Sequence, residues 1–407
     1  MKHFALYIII LYSIFSLTAC RDRLVPPEED PASSGEVLQP KAEAERTVII
    51  YMAADNNLTE IVRGDTAEMI KGKGLIPENV NFVIYLDDNT HKPALYELSA
   101  KNGMKKLKES DEEHCSTDGE TMLKVLREIQ HYFPARHYSI TFWSHASGWV
   151  PKRNTFGVDV TPGTTTKEQE MEIPVLRDVL SQLPKLDYIF FDACFMQCIE
   201  VAYELRHCAD WMIGSPAEIP GPGAPYDKIM KALCEGDAKG IEEGYDNGYP
   251  GTYNGDSIYT GVLLSCIDLS ELEPLAQATG RLITPFYMNQ TQPSTYGFQP
   301  YCNNWWRPHL TKYTYCFDMR TTMRRLLSEE DYTSWMEHFD RAVPIRTYSS
   351  RTWLTDYLCD NPYIEDTTCY GGVSMFMPMK EYEPYGWNGE FQKTSWYAAT
   401  GWQETGW

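Results

Sequence analysis

Two reactive residues of this chain are delivered in the same way. Residues 138–145 (YSITFWSH) end in the imidazole of His145, and residues 188–194 (YIFFDAC) end in the thiol of Cys194. Each run is β-branched and aromatic, as a buried strand should be, and an open parallel sheet gathers its functional groups where strands end. If the two strands are neighbours, His145 and Cys194 meet at one rim. A thiol is mostly protonated at neutral pH, but a nearby imidazole and the N-terminus of a following helix both favour the thiolate. Cys194 would attack a carbonyl while His145 protonates the leaving amine and later activates water. Taken singly, the two are equally well a buried cysteine and a capping histidine.

Asp192 is the most informative extra acid. Two residues before Cys194 on a strand, it points to the same face. Its carboxylate is placed to receive a substrate guanidinium or ammonium, or to pair with a protein cation such as Arg206. Glu218, in the loop after WMIGS, is a second and weaker candidate for that role. Trp149 walls the pocket or packs beneath it. Residues 55–58 (DNNL) either line the crevice or cap the helix that starts near Thr59, and capping is the commoner use of Asp and Asn there.

These residues need a scaffold, and the chain supplies strand-like runs in TVIIYMA, NFVIYLD, YSITFWSH, YIFFDAC and WMIGS. Between them, residues 118–133 and 173–183 carry apolar side chains at helical spacing after polar or Pro starts. The alternation predicts an α/β fold, a sandwich with a mostly parallel central sheet flanked by helices. Two later runs, IYTGVLLSCIDLS and GGVSMFMP, with helices near 320–327 and 332–343, extend the same unit. The aromatic tail from Trp387 to Trp407 is expected to dock on the body, given the area aromatics bury.

The composition, 43% hydrophobic and 23% charged over 407 residues, excludes disordered and fibrous classes. At the N-terminus Lys2 and His3 precede an apolar run too short to span a bilayer, ending in Leu17-Thr18-Ala19-Cys20. That ending has the form of a bacterial lipobox, in which signal removal exposes an acylated cysteine, here Cys20. The expected organisation is a signal peptide over 1–19, a Pro-, Glu- and Ser-rich tether over 20–46, a catalytic core over 47–270 and a C-terminal region over 271–407 packed on it. The product would be an exported lipoprotein at the outer membrane, periplasmic or surface-exposed, and a monomer.

Net charge is −21, and losing Lys2 with the signal peptide leaves one positive charge fewer, −22, which argues against nucleic acid as a partner. Of eleven cysteines, setting aside Cys20 and Cys194 leaves an odd nine, so at least one stays free. Cys302 with Cys316 and Cys359 with Cys369 are close enough in sequence to pair. No CxxC repeat suggests zinc, no metal is assigned, and no cofactor is expected.

The blocks Trp143-Ser144-His145-Ala146-Ser147-Gly148-Trp149 and Phe191-Asp192-Ala193-Cys194-Phe195-Met196 resemble those of the clostripain-like cysteine peptidases, relatives of caspases, legumain and gingipains. Residues 50–58 (IYMAADNNL) look like that family's opening strand, and the likeness extends over nearly everything from Thr47 onward. It implies a caspase-like fold, a Cys194–His145 dyad and endopeptidase activity after Arg or Lys on protein or peptide substrates. The backbone N–H groups of Ala146 and Cys194 would form the oxyanion hole. Ala146 stands where the family usually has Gly, and a positive φ there would be strained. Some relatives use calcium, but no dense Asp/Asn loop of calcium-site spacing is visible. Relatives are often cut between the His and Cys blocks; here Lys152, Arg153 and Lys167 lie in a Pro-, Gly- and Thr-rich interval, Lys167 being the favoured self-cleavage site. The alternative is an inactive lipoprotein that binds peptides or other ligands in the same crevice.

Overall fold

The computed structural model describes residues 38–149, 155–160, 169–219, 221–248, 262–289, 298–301, 316–348, 370–405 and 407. In chain order, β1 (Ala44–Ala54) leads into α1 (Thr59–Gly72), followed by β2 (Val80–Asp88), β3 (His91–Ser99) and β4 (Gly103–Glu109). Next come α2 (Gly119–Tyr132), β5 (Ala135–Trp143), β6 (Thr155–Asp159), β7 (Gln169–Glu172) and α3 (Ile173–Leu180). β8 (Leu186–Asp192), α4 (Ile199–Leu205), β9 (Ala209–Gly214), α5 (Tyr226–Glu235) and α6 (Ala238–Gly248) complete the central part. The later chain adds β10 (Leu263–Asp268), α7 (Leu272–Asn289), β11 (Phe317–Asp318), α8 (Met319–Leu326), α9 (Glu329–Ala342) and β12 (Ile345–Tyr348). β13 (Ser374–Met375), α10 (Trp387–Phe391) and α11 (Ser395–Ala399) close it.

One nine-stranded sheet runs in the order β12-β10-β9-β8-β5-β1-β2-β3-β4. Its centre is parallel, β1 with β2 and β5, β5 with β8, and β8 with β9. Both edges are antiparallel: β3 and β4 on one side, β10 and β12 on the other. Val48 through Ala54 of β1 are all buried, because helices cover both faces of a central parallel strand. On one face α1, α5 and α6 pack over Ile50, Met52, Trp143, Tyr188 and Phe190. On the other, the helices that follow β4, β7, β8 and β10 cover Tyr51, Phe142 and Phe191. The architecture is the α/β sandwich expected from the strand-helix alternation.

Local chemistry accounts for the elements. Asp118 caps α2 by accepting from the Thr121 N–H at 2.9 Å, and Met122, Val125, Leu126 and Ile129 present one apolar stripe. The GGVSMFMP run departs from expectation: only Ser374 and Met375 are strand, and they pair with β11 outside the main sheet. The tail does dock. Trp387, Phe391, Trp396 and Trp402 are buried, with Phe391 against Phe376 and Trp396 against Tyr203. Among the described residues no helix is long and apolar enough to cross a membrane.

Candidate active site

β5 and β8 are adjacent and parallel, with Trp143 opposite Asp192. His145 and Cys194 each lie two residues beyond that pair, so the sheet carries both to one rim. Neighbouring strands are about 4.8 Å apart, so the two residues follow the ends of adjacent strands. His145 is half-buried, and its Nε2 lies 2.6 Å from Asn57 Oδ1. Facing an amide oxygen, Nε2 is the ring nitrogen that donates in this pair.

Asn57 was hidden by its neighbour. Asn56 does what an Asn before a helix is expected to do: its Oδ1 accepts from the Leu58 N–H at 2.8 Å, while Nδ2 donates to the carbonyls of Ala53 and Val158. Asn57 is thereby released to reach the histidine. The sequence signal was the doubled Asn, of which a cap needs only one.

Cys194 retains some exposure as a residue, yet its sulfur is enclosed by the segment after β9. The Ile219 N–H donates to Sγ at 3.3 Å, and Sγ lies 3.9 Å from the Ile219 carbonyl. Burial, and after it the nearby Glu218 carboxylate, push the thiol up to about 12. In this conformation Cys194 is a thiol. Glu218 itself is half-buried beside the sulfur.

Ala146 is not strained. Phe195, at φ 61°, is the one non-glycine with positive φ among the described residues, so the suspected strain lies just after the thiol instead. Ala146 forms a bridge to Phe156 whose hydrogen bond runs from the Gly157 N–H to the His145 carbonyl at 2.8 Å. The bridge therefore makes no use of Ala146's own N–H.

Asp192 faces the segment before α5, which also follows the Cys194 contact. Its Oδ2 accepts from the Ala224 N–H at 3.0 Å and from the Tyr226 hydroxyl at 3.1 Å, and its Oδ1 takes no hydrogen bond. Burial pushes the carboxyl up to about 6, against the Ala224 N–H, the Tyr226 hydroxyl and the Tyr245 hydroxyl beyond it. Arg206 is engaged elsewhere, with Glu273 at 3.2 Å and over the Tyr203 ring at 3.9 Å. Arg206 is therefore not the partner of Asp192. Trp149 belongs to the core and not to the crevice: it is 5% exposed, with its ring 4.7 Å from Phe376 and 5.7 Å from Phe391. Of the two places expected for Trp149, its burial fits the one beneath the pocket and not the substrate-binding wall.

Cys20, Lys152, Arg153 and Lys167 lie outside the described residues, as do Cys302, Cys359 and Cys369. Cys115, Cys194, Cys198, Cys208, Cys234 and Cys266 are free thiols. Among the described residues no three His, Cys, Asp or Glu side chains converge as metal ligands.

A mostly parallel sheet with a histidine and a cysteine at adjacent strand ends defines the class: a caspase-like α/β sandwich of the cysteine-peptidase type. The profile of the Clostripain family matches residues 50–407. The chain belongs to the clostripain family. Clostripain of Hathewaya histolytica is 24% identical over 268 residues, covering 58% of this chain and 51% of that protein, so the match spans about half of the relative's length. A secreted cysteine protease of Bacteroides thetaiotaomicron, solved with an irreversible peptide inhibitor, superposes with a TM-score of 0.70 at 30% identity, covering 88% of this chain and 99% of that one. An inactive zymogen protease of Parabacteroides distasonis gives 0.75 at 27% identity, with the same two coverages.

Proposed function

We propose that this protein is a cysteine endopeptidase that cuts after Lys or Arg and is made as a latent chain. The observation that carries it is the delivery of His145 and Cys194 to one rim, with a buried Asp192 that pairs with no Lys or Arg side chain among the described residues. Cys194 passes its thiol proton to His145 as Sγ attacks the scissile carbonyl, and as the C–N bond breaks the imidazolium gives that proton to the departing amine. Water, deprotonated by His145, then hydrolyses the thioester. The N–H groups of Ala146 and Cys194 hold the oxyanion. Asp192, and secondarily Glu218, receive the basic side chain.

Asn57 orients the imidazole in this scheme. Asn57→Ala is expected to lower kcat by up to about 10²-fold with KM little changed, since misplacement of a catalytic group costs about that much. Steady-state kinetics on a Lys or Arg peptide measure it.

Latency fits a thiol pushed up to about 12 and covered by Ile219, and a similar structure is that of an inactive zymogen. β6 docks on the backbone of His145 itself, through the Gly157 N–H. Cuts after Lys152, Arg153 or Lys167 would fall on either side of β6 and free one end of it, with Lys167 favoured. The acyl anchor at Cys20 holds the exported enzyme to the outer membrane, and the secreted relative supports export. Intact-mass spectrometry of the native protein against Cys194→Ala tests activation: cleavage at these residues in the native protein alone is expected. A fully active, uncut chain would contradict self-processing.

A further inference from the structure

Asp65 lies mid-way along α1 and is 2% exposed. Its Oδ2 accepts from the Trp143 indole N–H at 2.6 Å, and Trp143 is the strand partner of Asp192. Between the two acids stands Gly223, at φ +63°. A Cβ on that glycine would meet Asp192 Oδ2 at 3.1 Å, Asp65 Oδ2 at 3.4 Å and Asp192 Oδ1 at 3.7 Å. Two buried carboxyls thus converge on one point, and Asp192 Oδ1 there carries no hydrogen bond. No Lys or Arg side chain among the described residues pairs with either acid; Lys71 and Lys228, which lie beside Glu68, bind Asp227.

We propose that Asp65 is the second acid of the specificity site, holding a proton in the free enzyme and releasing it to solvent when a Lys or Arg side chain reaches Asp192. The inference rests on reading Asp192 as the acid that receives that side chain. Two carboxylates this close in a low-dielectric setting do not both stay ionised. Asp192, with a backbone donor and the Tyr226 and Tyr245 phenols beside it, takes the charge. Asp65 has only the indole donor, and burial, then Asp192, raise its carboxyl well above the ordinary range. An arriving cation reverses the balance by favouring both charges, so one O–H bond breaks at Asp65 and the proton leaves.

The other groups around the pair do not supply that proton. Glu68, one turn along α1, is half-buried and accepts from the Tyr226 N–H at 3.0 Å, with Asp227, Lys71 and Lys228 beside it. Tyr226 and Tyr245, from α5 and α6, are phenols that face Asp192, and burial raises Tyr226 well above its ordinary value. From β5 the neutral Trp143 indole donates to Asp65.

The test binds an Arg-containing peptide and its citrulline counterpart to Cys194→Ala by calorimetry at pH 7.5, in two buffers of unlike ionisation enthalpy. At that pH Asp192, at about 6, is already ionised. Proton release with the Arg peptide is expected, none with citrulline, and none with either peptide once Asp65→Asn is added. In the active enzyme, the ratio of kcat/KM for Arg over citrulline should keep rising above pH 7, by at most roughly tenfold per pH unit, and should level off there in Asp65→Asn. Because the ratio cancels the titrations of Cys194 and His145, it isolates the specificity site. Asp65→Ser, which leaves room for water, serves as a second variant. Release of the same size in Asp65→Asn or Asp65→Ser would overturn the proposal while leaving Asp192 in its role. An Arg preference that survives Asp192→Asn would instead remove the reading on which it rests.

Discussion

Cys194→Ala is expected to abolish peptide hydrolysis, lowering kcat/KM by at least about 10⁴-fold, since a missing nucleophile leaves only binding and the oxyanion donors. The fold should not notice. Sγ is enclosed but held by one Ile219 N–H, so removing this single atom deletes little area and about 1 kcal/mol or less of hydrogen bonding. Kinetics and thermal unfolding, run on the same preparation, measure both halves. A transition that drops by many degrees would mark Cys194 as a structural thiol.

Asp192→Asn carries the second large effect. Discrimination for an Arg over a citrulline peptide is expected to fall by about 10²-fold at pH 7.5, as when one partner of a buried charge pair is lost. In the native enzyme that discrimination should weaken as pH drops through about 6, where the carboxyl becomes neutral, and the variant should lose this dependence. Stability moves the other way. A carboxyl whose folded value lies above its unfolded one favours the folded state when protonated, and that contribution fades as pH rises toward and past 6. Removing the charge should therefore leave the variant no less stable at pH 7.5. A variant that folds poorly at neutral pH would make Asp192 a structural acid, and unaltered selectivity would place the basic pocket elsewhere.

How much of this was legible depended on where each residue stood. β1, β2, β5, β8 and β9 are covered on both faces and so read as continuous apolar runs. β3 and β4 did not announce themselves. Their strands, HKPALYELS and GMKKLKE, lie at one edge, where lysines replace the apolar run and protect the open ladder from further pairing. His145 and Cys194 were visible because strand ends in a parallel sheet are where reactive groups emerge.

The remaining site residues required the fold. Asn57 looked like a cap because an Asn before a helix usually is one, and nothing in the sequence says which of two adjacent amides is spare. Asp65 sits inside α1, where a polar residue reads as solvent-facing; only the packing of α1 over Trp143 turns it inward. The worry over Ala146 came from a residue-type comparison, whereas φ is fixed by the turn, and the turn puts its positive φ at Phe195. Trp149 follows the histidine closely in sequence but is drawn down by Phe376 and Phe391, more than two hundred positions later.

The central claim, a Cys194 nucleophile worked by His145 in a crevice that takes a basic side chain, is tested most directly by one labelling measurement. The processed native protein is incubated with an irreversible peptide ketone ending in Lys or Arg, and its adduct is located by peptide-level mass spectrometry. A single adduct on Cys194 is predicted, absent from His145→Ala and from the native protein treated with a citrulline-ended probe. Labelling that spreads over Cys115 and the other thiols, or that persists unchanged in His145→Ala, would contradict it.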